Sequence, residues 1–125
     1  KGIFRLGNLY YRKDRNKKLN CKLRKIAIKK NMGWCNDIKS KNYNKLIYFP
    51  FNYSAEKLFL KTKIYDLLIN IKYNSHPVVK KKGSAIFLHL ASKKYHSTKG
   101  CIAISKKNFI KILPFVDKKT KIKIG

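Results

Sequence analysis

The chain has 125 residues, 44% of them hydrophobic and 13% aromatic, which suits one domain with one modest core and no disulfide framework. Lysine and arginine number 32 against 5 aspartates and glutamates, a formal charge of +27. No apolar run approaches the ~20 residues of a membrane span, no signal peptide stands out, and three cysteines without a Cys-x-x-Cys pair argue against a zinc site.

In chain order, residues 3–11 read as an apolar and aromatic strand, ended by a charged turn over 12–18. Leu23, Ile26 and Ile28 mark a short extended piece among lysines. Residues 32–44 look irregular, with Gly33, Asn36, Asp37 and Ser40 as turn-formers. A strand is expected over 46–51, with Pro50 near its end. Ser54 reads as the N-cap of a short helix over 55–60, with Glu56 well placed in its first turn. Residues 64–73 form the longest strand candidate, with Leu67, Ile69 and Ile71 on one face. After a lysine-rich turn at 80–82, residues 84–90 alternate as a strand; Ala85, Phe87 and His89 share one face, and Ile86, Leu88 and Leu90 the other. A polar loop over 92–100 leads to a short strand, 101–104, with Ile102 and Ile104 toward a core and Cys101 and Ala103 turned the other way. Ser105 caps a helix over 106–113, halted by Pro114, and residues 120–124 alternate as a closing strand.

The net charge attracts polyanions whatever its origin, whether nucleic acid, anionic lipid or an acidic wall polymer. Its lysines, however, are spread along the whole chain beside abundant Asn, Ile and Tyr, and form no single basic helix. That spread favours compositional drift over a dedicated binding face. The run Tyr10-Tyr11-Arg12-Lys13 superficially suits single-stranded nucleic acid without having the order of a stacking platform.

A histidine near one strand end and a cysteine opening the next can meet across the loop between them, the relation a thiolate and its base require. His89 followed by Thr98-Lys99-Gly100-Cys101-Ile102 resembles the signature of the L,D-transpeptidase catalytic domain, in a branch whose turn reads Thr-x-Gly-Cys. The wording Gly83-Ser84-Ala85-Ile86-Phe87-Leu88-His89 is similar to that branch, as are Met32-Gly33-Trp34-Cys35-Asn36-Asp37 with Tyr43-Asn44, and Tyr73-Asn74 before Pro77-Val78-Val79. The resemblance covers most of the chain. It implies a mainly β fold with short helices, an L,D-transpeptidase-like β-sandwich or barrel. Residues 1–125 would form a single catalytic domain lacking its N-terminal strands, since Lys1-Gly2-Ile3-Phe4 looks like the tail of a family segment.

The resemblance further implies Cys101 as nucleophile, His89 as base and the Leu90 carbonyl as the group that orients it. Lys99 and a nearby imidazolium would favour the thiolate, and Gly100 lets backbone approach the substrate, so that amides at Gly100 and Cys101 form an oxyanion hole. Thr98, Lys99, Trp34, Tyr43 and His96 are the candidates for substrate contact, while His76 reads as a turn residue. Lys99 and Ala103 stand where the common turn has histidine and arginine, so carboxylate recognition must come from elsewhere, a lysine being the obvious substitute. The implied reaction is acyl transfer on peptidoglycan stem peptides in the periplasm, without cofactor or metal. A Cys21–Cys35 disulfide would suit that compartment. Weak, nonspecific nucleic-acid binding is expected from the charge. The competing reading is a basic, non-catalytic protein that binds nucleic acid or an acidic wall polymer.

Overall fold

In the computed structural model, residues 2–75, 77–92 and 101–124 are described. Among them β-structure dominates. The strands are β1 (Gly2–Tyr11), β2 (Lys25–Ala27), β3 (Met32–Cys35), β4 (Leu46–Tyr48), β5 (Ala55–Lys57), β6 (Leu67–Ile71), β7 (Phe87–Leu90), β8 (Ile102–Ile104) and β9 (Lys121–Ile124). Helix α1 (Lys106–Ile112) follows β8 and tightens into a 3-10 turn at Leu113–Phe115.

The larger sheet runs β2-β1-β6-β7-β8, with β9 also paired to β1. Strand β1 serves as its spine because it is long and bulged. Its first half pairs with β9, and its second half pairs with β2 in parallel. The pairing with β6 shifts register between Leu6 and Leu9, so both leucines enter the same core although three residues apart. The bulge leaves no room at Gly7, where a Cβ would fall 2.1 Å from Asn70 Oδ1.

Each face of this sheet carries its own core. On one side Leu6, Leu9, Leu67, Ile69, Ile71, Leu88 and Leu90 pack with Phe109 and Leu113 of the α1 region. The helix is fixed there by Ser105, whose Oγ accepts from the Asn108 amide at 3.2 Å. On the other side Tyr10, Leu68, Ala85 and Phe87 meet Met32 and Trp34 of the smaller sheet, β4-β3-β5. The expected alternation of 86–90 and 101–104 holds on both strands: Ile86, Leu88, Leu90, Ile102 and Ile104 join the first core, and Ala85, Phe87 and Cys101 the second.

Three local expectations are corrected. Residues 55–60 do not form a helix, because Ser54 is used elsewhere: its amide donates to Asp37 Oδ2 at 3.0 Å and its hydroxyl to Asn36 Oδ1 at 2.7 Å. The segment leaves that anchor as β5, antiparallel to β3 with Trp34 opposite Glu56. Residues 32–35 are a strand rather than irregular chain, and all four are buried, which removes any alternation from the sequence. Gly33 admits this crowding, since a Cβ there would lie 2.6 Å from the Phe49 ring. The segment 64–73 yields only the five-residue β6. Residues before it are held as turns by Arg12 and Arg15, which bond the carbonyls of Leu60, Lys61 and Thr62.

Candidate active site

Strands β7 and β8 run parallel, with Leu88 opposite Ile102, His89 opposite Ala103 and Leu90 opposite Ile104. Parallel neighbours in register put Phe87, His89, Cys101 and Ala103 on one face of the sheet. Cys101 thus stands just before β8 on the face that carries His89. His89 is buried, Cys101 half-buried and Ala103 exposed.

The imidazole is oriented from two directions. His89 Nδ1 lies 2.9 Å from the Leu90 carbonyl oxygen. A carbonyl can only accept, so Nδ1 carries a proton, and in the neutral imidazole the lone pair is on Nε2. Tyr65 meets the imidazole edge-to-face, with centroids 5.5 Å apart and planes at 79°. Tyr65 also packs against Phe87, which in turn packs on Trp34. Its hydroxyl donates to Glu56 Oε1. Behind it, Asp66 is buried and paired with Arg15 at 2.7 Å, and Asn16 donates to the Asp66 carbonyl at 3.1 Å. The charged turn after β1 therefore fixes the position from which Tyr65 reaches the histidine.

The thiol is held by an unusual backbone. Ala85 has φ of 58°, in the left-handed region that crowds a Cβ. Its amide donates to Asn44 Oδ1 at 3.2 Å, and its carbonyl accepts from Cys101 Sγ at 3.1 Å. Asn44, itself at φ 58°, ties the region together. Its Oδ1 also accepts from Trp34 Nε1 at 2.9 Å, and its Nδ2 donates to the carbonyls of Tyr73 and Asn74 at 3.0 and 2.8 Å. Ser84 Oγ adds a bond of 2.6 Å to the Cys35 carbonyl.

Burial, first, and the Glu56 carboxylate push the Cys101 thiol above its ordinary range, while the backbone at Phe87 works the other way. Burial and Glu56 both favour the neutral thiol at Cys101; Lys99, expected to favour the thiolate, lies outside the described residues. Burial likewise raises Cys21, outweighing the lowering by Lys25. Burial and Glu56 together raise Tyr65, keeping its phenol a proton donor. Cys21 and Cys35 are separate thiols, not joined in a disulfide. Cys21 packs at the edge of the α1-side core, whereas Cys35 is buried in β3.

A family model for the YkuD L,D-transpeptidase catalytic domain matches residues 1–124. The chain belongs to this family. Searches of curated proteins and of solved structures each returned no match. The two-sheet, mainly β architecture with one short α-helix is consistent with the L,D-transpeptidase fold.

Of the residues singled out from the sequence, His89 and Leu90 lie on β7, and Cys101 lies just before β8 on the sheet face that carries His89. Thr98, Lys99, Gly100, His96 and His76 lie outside the described residues. Trp34 occupies a packing position, 6% exposed, and Tyr43 is buried with its hydroxyl accepting from the Gly83 amide at 3.1 Å. Tyr10 and Arg12 are buried and Tyr11 packs on the core, so the aromatic and basic run at the end of β1 offers no stacking platform. Sequence reasoning missed Tyr65, Glu56, Asn44 and the turn at Ala85. Asn44 and Ala85 carried a signal, through their places in blocks resembling the family. Among the described residues no three His, Cys, Asp or Glu side chains gather to hold a metal, and no helix is long and apolar enough to cross a membrane.

Proposed function

We propose that this L,D-transpeptidase family member is a periplasmic cysteine acyltransferase acting on peptidoglycan stem peptides, with Cys101 as nucleophile and His89 as base. The observation that carries this reading is the shared sheet face of His89 and Cys101, with Nδ1 of the histidine committed to the Leu90 carbonyl. That commitment leaves Nε2 to accept the thiol proton.

Burial and Glu56 favour the neutral thiol, so in this reading proton transfer accompanies attack. The Cys101 proton passes to His89 Nε2 as Sγ bonds to the carbonyl of the diamino acid at the third position. The resulting oxyanion is stabilised by amides at Gly100 and Cys101. His89 returns the proton to the departing D-amino acid, leaving a thioester. An amine or water then resolves it by the reverse sequence, giving a transpeptidase or carboxypeptidase outcome. Thr98, Lys99 and His96 contact the peptide in this reading, and lysine supplies the carboxylate recognition that Ala103 cannot. A groove of about 470 Å³ at the end of β7, lined by Thr62, Ile64, Leu90, Lys63 and Lys106 among others, offers two such lysines.

The test is incubation with purified muropeptides, products read by mass. Loss of a terminal D-amino acid with or without a new cross-link is expected, and its persistence in Cys101→Ala would refute the assignment. A second reading, charge-driven binding of an acidic polymer, is favoured by a groove of about 570 Å³ that includes Lys22, Arg24, Lys72, Lys118 and Lys119. Binding of that kind should survive Cys101→Ala and fall steeply with salt.

A further inference from the structure

We propose that Glu56 is the binding carboxylate for a primary ammonium group on the acyl-donor peptide, seated beside Cys101. This rests on the acyl-transfer reading and names the chemistry its substrate must bring.

Glu56 is the single glutamate of a chain whose other acids are four aspartates. Each aspartate is occupied locally. Asp14 takes the Arg12 guanidinium and Asp66 that of Arg15. Asp37 accepts from the amides of Lys39 and Ser54, and Asp117 from those of Lys119 and Thr120. Glu56 differs. With 32 lysines and arginines in the chain, it forms no ion pair with any of them among the described residues. Its Oε1 is taken by the Tyr65 hydroxyl, and Oε2 takes no hydrogen bond among those residues.

Its placement is as informative as its solitude. Strand β5 holds Glu56 opposite Trp34, half-buried, and Tyr65 links it to His89 through one ring contact. The carboxylate therefore sits within electrostatic reach of the nucleophile, where it opposes thiolate formation. A fixed negative charge there hinders the first chemical step unless a cation arrives with the substrate. A diamino acid whose second amine is free brings one, since a primary amine is protonated at neutral pH. An ammonium is a compact point charge with three donors, able to take Oε2 while Tyr65 keeps Oε1. Bound there, it offsets the carboxylate and favours the thiolate, so the correct donor assists its own attack.

The net charge of +27 makes the idea sharply testable, because an ammonium ligand is repelled by the protein at large. Two donor peptides are compared, one with a free side-chain amine and one with that amine acetylated. Binding is read by calorimetry in Cys101→Ala, which removes turnover, and reaction rate is read in the intact chain. The free amine should bind about tenfold more tightly or better, the weight of a hydrogen bond to a charged group. Glu56→Gln should abolish that preference, and Glu56→Asp should retain part of it. The preference with Glu56 in place needs no variant at that position, so misfolding of Glu56→Gln does not remove the test. Equal binding of the two peptides, or a preference that survives Glu56→Gln in a folded protein, overturns the ammonium seat whatever the turnover. A Glu56-dependent preference without any turnover in the intact chain instead keeps the seat and overturns the acyl-transfer reading.

Discussion

The two faces of β7 and β8 differ in what holds them. On one, Leu88, Leu90, Ile102 and Ile104 pack against Phe109 and Leu113, and cohesion comes from many small dispersion contacts and buried area. On the other, Phe87, His89 and Cys101 lie with Tyr65 and Glu56, and the polar groups depend on a few bonds. Among these are His89 to the Leu90 carbonyl, Cys101 to the Ala85 carbonyl and Tyr65 to Glu56. The period-two geometry of a strand lets the same few residues carry both. The apolar face supplies the rigidity, and the polar face carries the left-handed Ala85 and a thiol whose burial favours its neutral form.

Truncating one residue on each face tests that division most severely. Cys101→Ala should lower turnover by about 10³-fold or more while changing unfolding free energy by no more than about 1 kcal/mol. Phe109→Ala, at a fully buried ring, should cost about 3–5 kcal/mol in denaturant unfolding. The contrast fails if the cysteine variant is the less stable of the two. His89→Ala should slow turnover by about 10²–10⁴ in a folded domain, and near-normal rates with muropeptides would remove it from the mechanism.

Asn44 tests whether the reactive face depends on its few bonds. Replacement by Ala removes partners from Trp34, Ala85 and the carbonyls of Tyr73 and Asn74. A loss of about 1–3 kcal/mol is expected from leaving such groups unsatisfied. A larger fall in turnover than unfolding accounts for should accompany it, since Ala85 holds the thiol. Unchanged kinetics in the folded variant would show that the turn at Ala85 needs no such support.

How much of this was legible beforehand follows from the kind of signal each element leaves. The opposite faces of 86–90 and 101–104 were readable because alternation survives wherever one strand separates two environments. Strand β3 was not, since Met32, Gly33, Trp34 and Cys35 are all buried and give no period. Ser54 and Glu56 looked like the start of a helix because cap and first-turn acid are local signals. The structure uses the same two residues for contacts 17 or 18 residues back, and nine residues on, in the sequence. Two influences on Cys101 were hidden for the same reason: neighbouring lysines are visible in sequence, whereas burial and a carboxylate from another strand are not.

The smallest effect concerns pH. Burial and then Glu56 hold the Cys101 proton more tightly in the folded protein than in the unfolded chain. That contribution to stability is intact below the ordinary thiol range, near ~8.5, and is lost as pH rises through the raised folded value. Iodoacetamide labelling of the Cys101 peptide, followed by mass against pH, should therefore reach half its maximal rate above the ordinary range. A midpoint below it would contradict the proposed environment.

The central claim is a thioester at Cys101. It is tested most directly by mixing the protein with a donor muropeptide, quenching in acid within one turnover and mapping the digest by mass. The account predicts an acyl adduct on the Cys101 peptide, removed by hydroxylamine and absent from Cys101→Ala. Product formation with no adduct, or an adduct on Cys21 or Cys35 in its place, would contradict it.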